Sequence, residues 1–146
     1  TFKRELPDHL NYLSGGKTFI SIRCRAGGYI NTELQKLMDE IDTKRQIKTM
    51  ELSDHFKDKI KYANEMNIFS REMGEMKLNS LYDACIISWD TNILNDDKSM
   101  KCNKENFMLL ADIRIEEIIN CFLDFSKYVE ELGNFINKAD EVTEKN

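Results

Sequence analysis

Residues 85–107 read CIISWDTNILNDDKSMKCNKENF, a span that holds two cysteines, the only tryptophan, four acidic side chains and several amides. Either these groups converge on chemistry or they shape a joint between two regular elements, and the choice decides how the rest of the chain is assembled. A helix-loop-helix calcium site started at Asp90 has Asn92 at its third position. It then fails, with Leu94 at the fifth, Asn95 where glycine is needed and Lys101 where glutamate is needed. Asp96 and Asp97 are adjacent, and adjacent carboxylates point apart in most turns, whereas acid–base pairs must face one space. Turn chemistry fits better, because the short Asx side chains of Asn95-Asp96-Asp97-Lys98 bond to nearby backbone and tolerate unusual dihedrals. Asn103 then stands at an N-cap before the apolar Phe107, Leu109 and Leu110. Trp89 is expected to end the preceding helix and cover the joint with its indole. Trp89, Asp90, Asn103 and Phe107 thus form a structural corner.

Upstream of the corner, Lys17–Arg25 alternates. Ile20, Ile22 and Cys24 face one way while Ser21, Arg23 and Arg25 face the other, as in a half-buried strand. Ser14-Gly15-Gly16 offers a hairpin turn, through which His9–Leu13 would pair back, with Phe2–Leu6 as a candidate third strand. Gly27-Gly28 ends the β element. After Asn31-Thr32 the period changes to that of a helix, with Leu34, Leu37, Met38 and Ile41 on one stripe. A second helical region from Ser53-Asp54 places Phe56, Ile60, Ala63 and Met66 inward. A third, from about Arg71, places Leu78, Leu81, Ala84 and Cys85 inward, with Ser88 and Trp89 on the next turn. Asn67 and Gly74 leave open whether these two regions are continuous.

The last helix, from Arg114 to about Lys138, has the strongest periodicity in the chain. Ile115, Ile118, Ile119, Phe122, Val129, Leu132 and Ile136 recur at helical spacing, and Leu123 and Phe125 widen the stripe. A stripe this wide is expected either to pack between two neighbouring helices or to offer Ile118, Phe122, Phe125, Val129 and Leu132 to a partner.

The expected fold class is α+β: mainly α-helical with a small N-terminal antiparallel β-hairpin or sheet. One domain spans 1–146, with a β element at 1–30, a helical region at 31–138 and a polar, frayed tail at 139–146. A length of 146 residues fits one core, and a 41% hydrophobic fraction beside 32% charged residues is that of a folded chain. No apolar run of membrane-spanning length occurs, and no signal-peptide pattern opens the sequence.

A net charge of −5 opposes nucleic-acid binding, which needs clustered cations to neutralise phosphates. The charge is uneven. Residues 1–62 carry 12 basic and 9 acidic side chains, and residues 63–146 carry 9 basic and 17 acidic ones. Such polarity is either a solvated helical surface or a means of orienting a partner or a second copy of the chain.

Cys24, Cys85, Cys102 and Cys121 show no CxxC or CxxH pairing, so no metal site is expected, and the cysteines read as reduced packing residues of a cytoplasmic protein. A cysteine-dependent enzyme would need Cys85 or Cys102 to meet His9 or His55 across the fold. No nucleophile elbow, phosphate-binding glycine loop or dinucleotide fingerprint is present. No catalytic residue, cofactor or metal ligand is therefore assigned.

The order of residues in SWDTNILNDDKSMKCNKENFMLLADIRIEEIINCF resembles the C-terminal half of small tail-assembly proteins of tailed bacteriophages and prophages. In those families a tryptophan, an acidic turn and a polar-x-Glu-Asn helix start recur, and the N-terminal half often holds a short β element. Trp89-Asp90 and Asn103-Lys104-Glu105-Asn106 occupy the matching places, although Lys98-Ser99 stands where a glycine is common. The resemblance covers Leu78 to Leu132. It implies a non-enzymatic chaperone that keeps the tape-measure protein soluble and recruits tail-tube subunits in the host cytoplasm. A tail or head-to-tail connector subunit retained in the virion is the structural alternative.

Overall fold

A computed structural model describes residues 1–55 and 57–145, with side chains described for all of these except 55, 137 and 139–145. Phe56, expected on the second helix, lies outside the described residues. The chain is α+β, mainly helical, with a three-stranded antiparallel sheet and a second, two-stranded ribbon.

The sheet has the order β1-β2-β3, from Phe2–Glu5, Phe19–Cys24 and Ile86–Thr91. Phe2 lies opposite Ile22 and Ile22 opposite Trp89, so these three make one row across the core face. Lys3, Ser21 and Asp90 make a polar row on the other face. This one-sided burial is what alternation along β2 demands, and Ile20 and Ile22 are fully buried. α4 (Glu116–Lys145) lies against the core face, where Phe2 meets Phe125 edge-on with ring centroids 5.6 Å apart. Arg4 pairs with Asp124 at 3.0 Å and ties β1 to the same helix.

Two expectations about strands are corrected. The partner of β2 at the N-terminus is Phe2–Glu5, whereas Asp8–Leu13 forms a 3-10 helix. Pro7 fixes φ and cannot donate a ladder hydrogen bond, so pairing stops after the Leu6 amide donates to the Thr18 carbonyl at 2.8 Å. The turn that follows is held by the buried Thr18 hydroxyl, which donates to the Leu10 carbonyl at 3.1 Å.

The second correction is at the corner. Trp89 does not end a helix; the helix stops at Cys85, and Ile86–Thr91 is the third strand. Isoleucine, isoleucine and threonine in six residues favour a pleated backbone, and pairing with β2 satisfies it.

Between the neighbouring strands β2 and β3 the chain inserts a helical hairpin, α1 (Thr32–Leu52) and α2 (Lys59–Cys85). α2 runs unbroken through Asn67 and Gly74. Its inner face along α1 is Phe69, Met73 and Met76, and Phe69 and Met73 join Ile41 in a small separate cluster, while Met66, expected inward, is half-buried. Ile60 and Ala63, expected inward, are exposed. Apolar residues are sparse in this half of α2 and support two stripes, and contact with α1 selects the one through Phe69.

Asn31 anchors the base of the hairpin. Its Oδ1 accepts from the Leu34 amide at 2.9 Å, and its Nδ2 donates to the carbonyls of Ala26 and Ala84 at 2.9 and 3.1 Å. One amide thereby joins the start of α1, the end of α2 and the exit from β2.

After β3 comes a ribbon of two-residue strands, β4 (Leu94–Asn95) and β5 (Lys98–Ser99). Asp96 and Asp97 turn between them at φ 51° and 62°, the left-handed pair of a type I′ turn. α3 (Lys104–Ala111) starts at its cap Asn103, whose Oδ1 accepts from the Asn106 amide at 2.8 Å. α4 follows and its backbone is helical through Lys145; of the frayed tail expected at 139–146, Asn146 and the side chains of 139–145 lie outside the described residues.

Gly27 and Gly133 bring the chain after β2 directly onto α4. A Cβ on Gly133 would collide with the Gly27 carbonyl, and one on Gly27 with the Val129 side chain. A helical side chain covers the turn preceding its own Cα, so glycine at 133 leaves the Val129 carbonyl open. The Gly27 amide donates to that carbonyl at 3.0 Å.

Candidate functional site

The structure brings Trp89, Asn103 and Phe107 together. The indole Nε1 donates to the Asn103 carbonyl at 3.0 Å, and the Trp89 and Phe107 rings meet edge-on at 5.4 Å. Phe107 is fully buried and also meets Tyr82 at 5.1 Å and Phe122 at 5.0 Å. Asp90 stays exposed; its Oδ1 accepts from the Thr91 amide at 2.9 Å.

Among the described residues no three His, Cys, Asp or Glu side chains gather as metal ligands would. His9 pairs with Glu117 at 2.9 Å, and the His55 side chain lies outside the described residues. The Cys85 thiol is pushed up to about 11, chiefly by burial and then by the neighbouring Cys24 and Glu33. Burial raises Cys102 as well. A nucleophilic cysteine needs the opposite shift.

The last-helix stripe divides. Ile118, Phe122, Phe125 and Val129 are buried in the core of the chain and Leu132 is half-buried, so most of the expected partner stripe is already spent on packing. About a third of a turn away, Ile119 and Leu123 remain exposed, and they form one wall of an open apolar groove.

That groove is the candidate site, with a volume of about 610 Å³. Its α4 wall runs from Ile119 through Phe122, Leu123 and Ser126 to Val129, Glu130 and Asn134. α2 contributes Gly74, Lys77, Leu78 and Leu81, and α1 contributes Leu34, Gln35 and Met38. Ala111 lines it from α3, and Gly28 and Tyr29 from the segment after β2. By helix rise the α4 wall is about 22 Å long. Among the described residues Lys77 and Glu130 are its only formally charged lining groups.

The groove exists because Gly27 and Gly133 pull α4 toward the exit of β2 while Asn31 holds α1 and α2 together, which leaves the space between α2 and α4 unfilled. Its members come from four helices, and no single stretch of sequence announces them. Leu123, which widens the stripe beyond what one neighbour covers, and Gly74, inside a helix, are the two local signs.

No family model, curated protein or solved structure matches the chain. No helix among the described residues is long and apolar enough to cross a membrane.

Proposed function

We propose that this protein is a non-enzymatic morphogenesis factor of a tailed bacteriophage or prophage: a tail assembly chaperone that binds tape-measure and tail-tube proteins in the host cytoplasm. The observation that carries the reading is the open apolar groove beside α4, a surface that folding alone gives no reason to leave uncovered. Groove recognition of an amphipathic helix uses such a surface, and tape-measure proteins are long helices that need cover before the tail forms. The order of residues from Trp89 to Phe122 directs the reading to tail proteins. The acidic excess of residues 63–146 would keep a loaded complex in solution.

Co-expression with tape-measure fragments tests it. A fragment is expected to become soluble and co-purify, and Leu123→Asp in the groove wall is expected to abolish capture. Failure to bind any tail protein would remove the reading. Mass spectrometry of purified particles is expected to find the protein absent; its presence in stoichiometric amount would favour the connector alternative.

A further inference from the structure

The sheet has two outer strands, and only one of them is covered. On β3 the Thr91 amide is taken by the Asp90 carboxylate at 2.9 Å, and the Trp89 indole holds the Asn103 segment alongside at 3.0 Å. β1 has β2 on one side and α4 on its core face, and its other side is open.

Two sets of contacts fix which backbone groups that open side presents. The Leu6 amide donates to the Thr18 carbonyl, so Leu6, Arg4 and Phe2 turn their backbone groups toward β2, and Lys3 and Glu5 turn theirs outward. Phe19, which lies opposite Glu5, agrees. Its amide donates to Asn92 Oδ1 at 3.0 Å and its carbonyl accepts from the Thr91 hydroxyl at 2.7 Å, both on the β3 side. Among the described residues no hydrogen bond takes up the outward groups of Lys3 and Glu5. Both side chains are exposed on the polar face; the Lys3 ammonium rests over the Phe19 ring, 5.2 Å from its centroid.

We infer that the β1 edge docks a second copy of this chain, strand against strand and antiparallel about a two-fold axis at Arg4, so that one sheet runs through both copies. For both edges to bond, an outward residue must face an outward residue, which leaves three registers for Lys3 and Glu5. Lysine facing lysine, or glutamate facing glutamate, sets like charges together. The register centred on Arg4 sets each Lys3 against Glu5 of the other copy, and it alone satisfies backbone and charge together.

That register makes about four ladder hydrogen bonds. On the core face it sets Phe2 against Leu6 of the other copy, and the two Arg4 side chains meet with each already neutralised by its own Asp124 at 3.0 Å. Pro7 has no N–H to continue the ladder. Short length and charge ordinarily keep an edge strand unpaired, and here their pattern admits one alignment. Asp124 and the groove residues Ile119 and Ser126 lie on opposite flanks of α4, so pairing leaves both grooves open. The inference does not depend on what the groove binds.

So short a ladder gives a weak interface, and sedimentation equilibrium of the full chain tests it from micromolar to millimolar concentration. The mass is expected to rise from monomer to dimer. Glu5→Lys and Lys3→Glu each make both cross-strand pairs repulsive and are expected to weaken self-association about tenfold or more. Mixed in equal amounts, these two variants are expected to pair with each other as tightly as the parent pairs with itself, because every lysine then faces a glutamate.

Lys3→Pro removes an outward amide that β2 does not use, and it is expected to stay monomeric with a thermal midpoint near that of the parent. A parent that remains monomeric at millimolar concentration would overturn the inference. So would a dimer unmoved by Glu5→Lys or Lys3→Pro, or a mixture of the two charge variants that fails to associate.

Discussion

Asn31 joins three segments through one side chain. Its oxygen caps α1, and its nitrogen holds two carbonyls on separate segments, so Ala and Asp replacements separate the two roles. Asn31→Asp keeps the cap acceptor but turns a second acceptor toward the Ala26 and Ala84 carbonyls. Asn31→Ala is expected to cost about 1–3 kcal/mol and Asn31→Asp at least as much, read from urea unfolding. Were the cap the only role, Asp would be nearly neutral.

Gly133→Ala is the steric counterpart. A single methyl forces Gly27 away from α4 and breaks its hydrogen bond to Val129, with an expected loss of about 2–3 kcal/mol by the same measurement. Alanine elsewhere on an exposed helix face would be neutral or stabilising.

At the level of elements, the helical hairpin is unevenly supported. The base of α2 packs Leu81, Ala84 and Cys85 into the main core, whereas its outer half meets α1 through the small cluster of Ile41, Phe69 and Met73. Amide hydrogen exchange is expected to grade along the helix, slowest near Leu81–Cys85 and at least a hundredfold faster before Met66, while β2 stays protected on both edges by β1 and β3. Uniform protection along α2 would show that the hairpin is stabilised as one unit.

The same unevenness explains which elements could be read from residues alone. β2 has clean alternation, α1 and α3 begin at the capping asparagines Asn31 and Asn103, and α4 has an unbroken helical period. β3 was hidden because Ala84, Cys85, Ser88 and Trp89 also satisfy a helical spacing, and its strand partner lies more than 60 residues away. His9–Leu13 lost its place to Phe2–Glu5 through Pro7 and the hydroxyl of Thr18, neither of which is visible in a hydrophobic pattern. The Asn103 cap is legible because capping is short-range, whereas the Trp89–Phe107 contact forms from a strand that the residue pattern does not announce. The groove was not legible, because it is the space left where four helices fail to close.

For the molecule as a whole, the core links stability to alkaline pH. The thiols of Cys85 and Cys121 are both raised to about 11 by burial, from an ordinary 9.0. Below the unfolded value both states hold the proton, and stability is fully present. Between about pH 9 and 11 the unfolded chain ionises while the native chain does not, so unfolding becomes easier as pH rises. The urea midpoint is expected to fall across that interval, and the double variant Cys85→Ala/Cys121→Ala, though less stable throughout, is expected to lose most of the slope. An unchanged slope would place the alkaline transition on other groups.

The cluster of rings around Phe107 has a practical consequence. Phe122 borders the groove on one side and touches Phe107 on the other, and Phe107 touches the sole indole. Whatever settles against Phe122 is therefore two aromatic contacts from the only strong fluorophore in the chain, and occupancy should alter its emission without any attached dye.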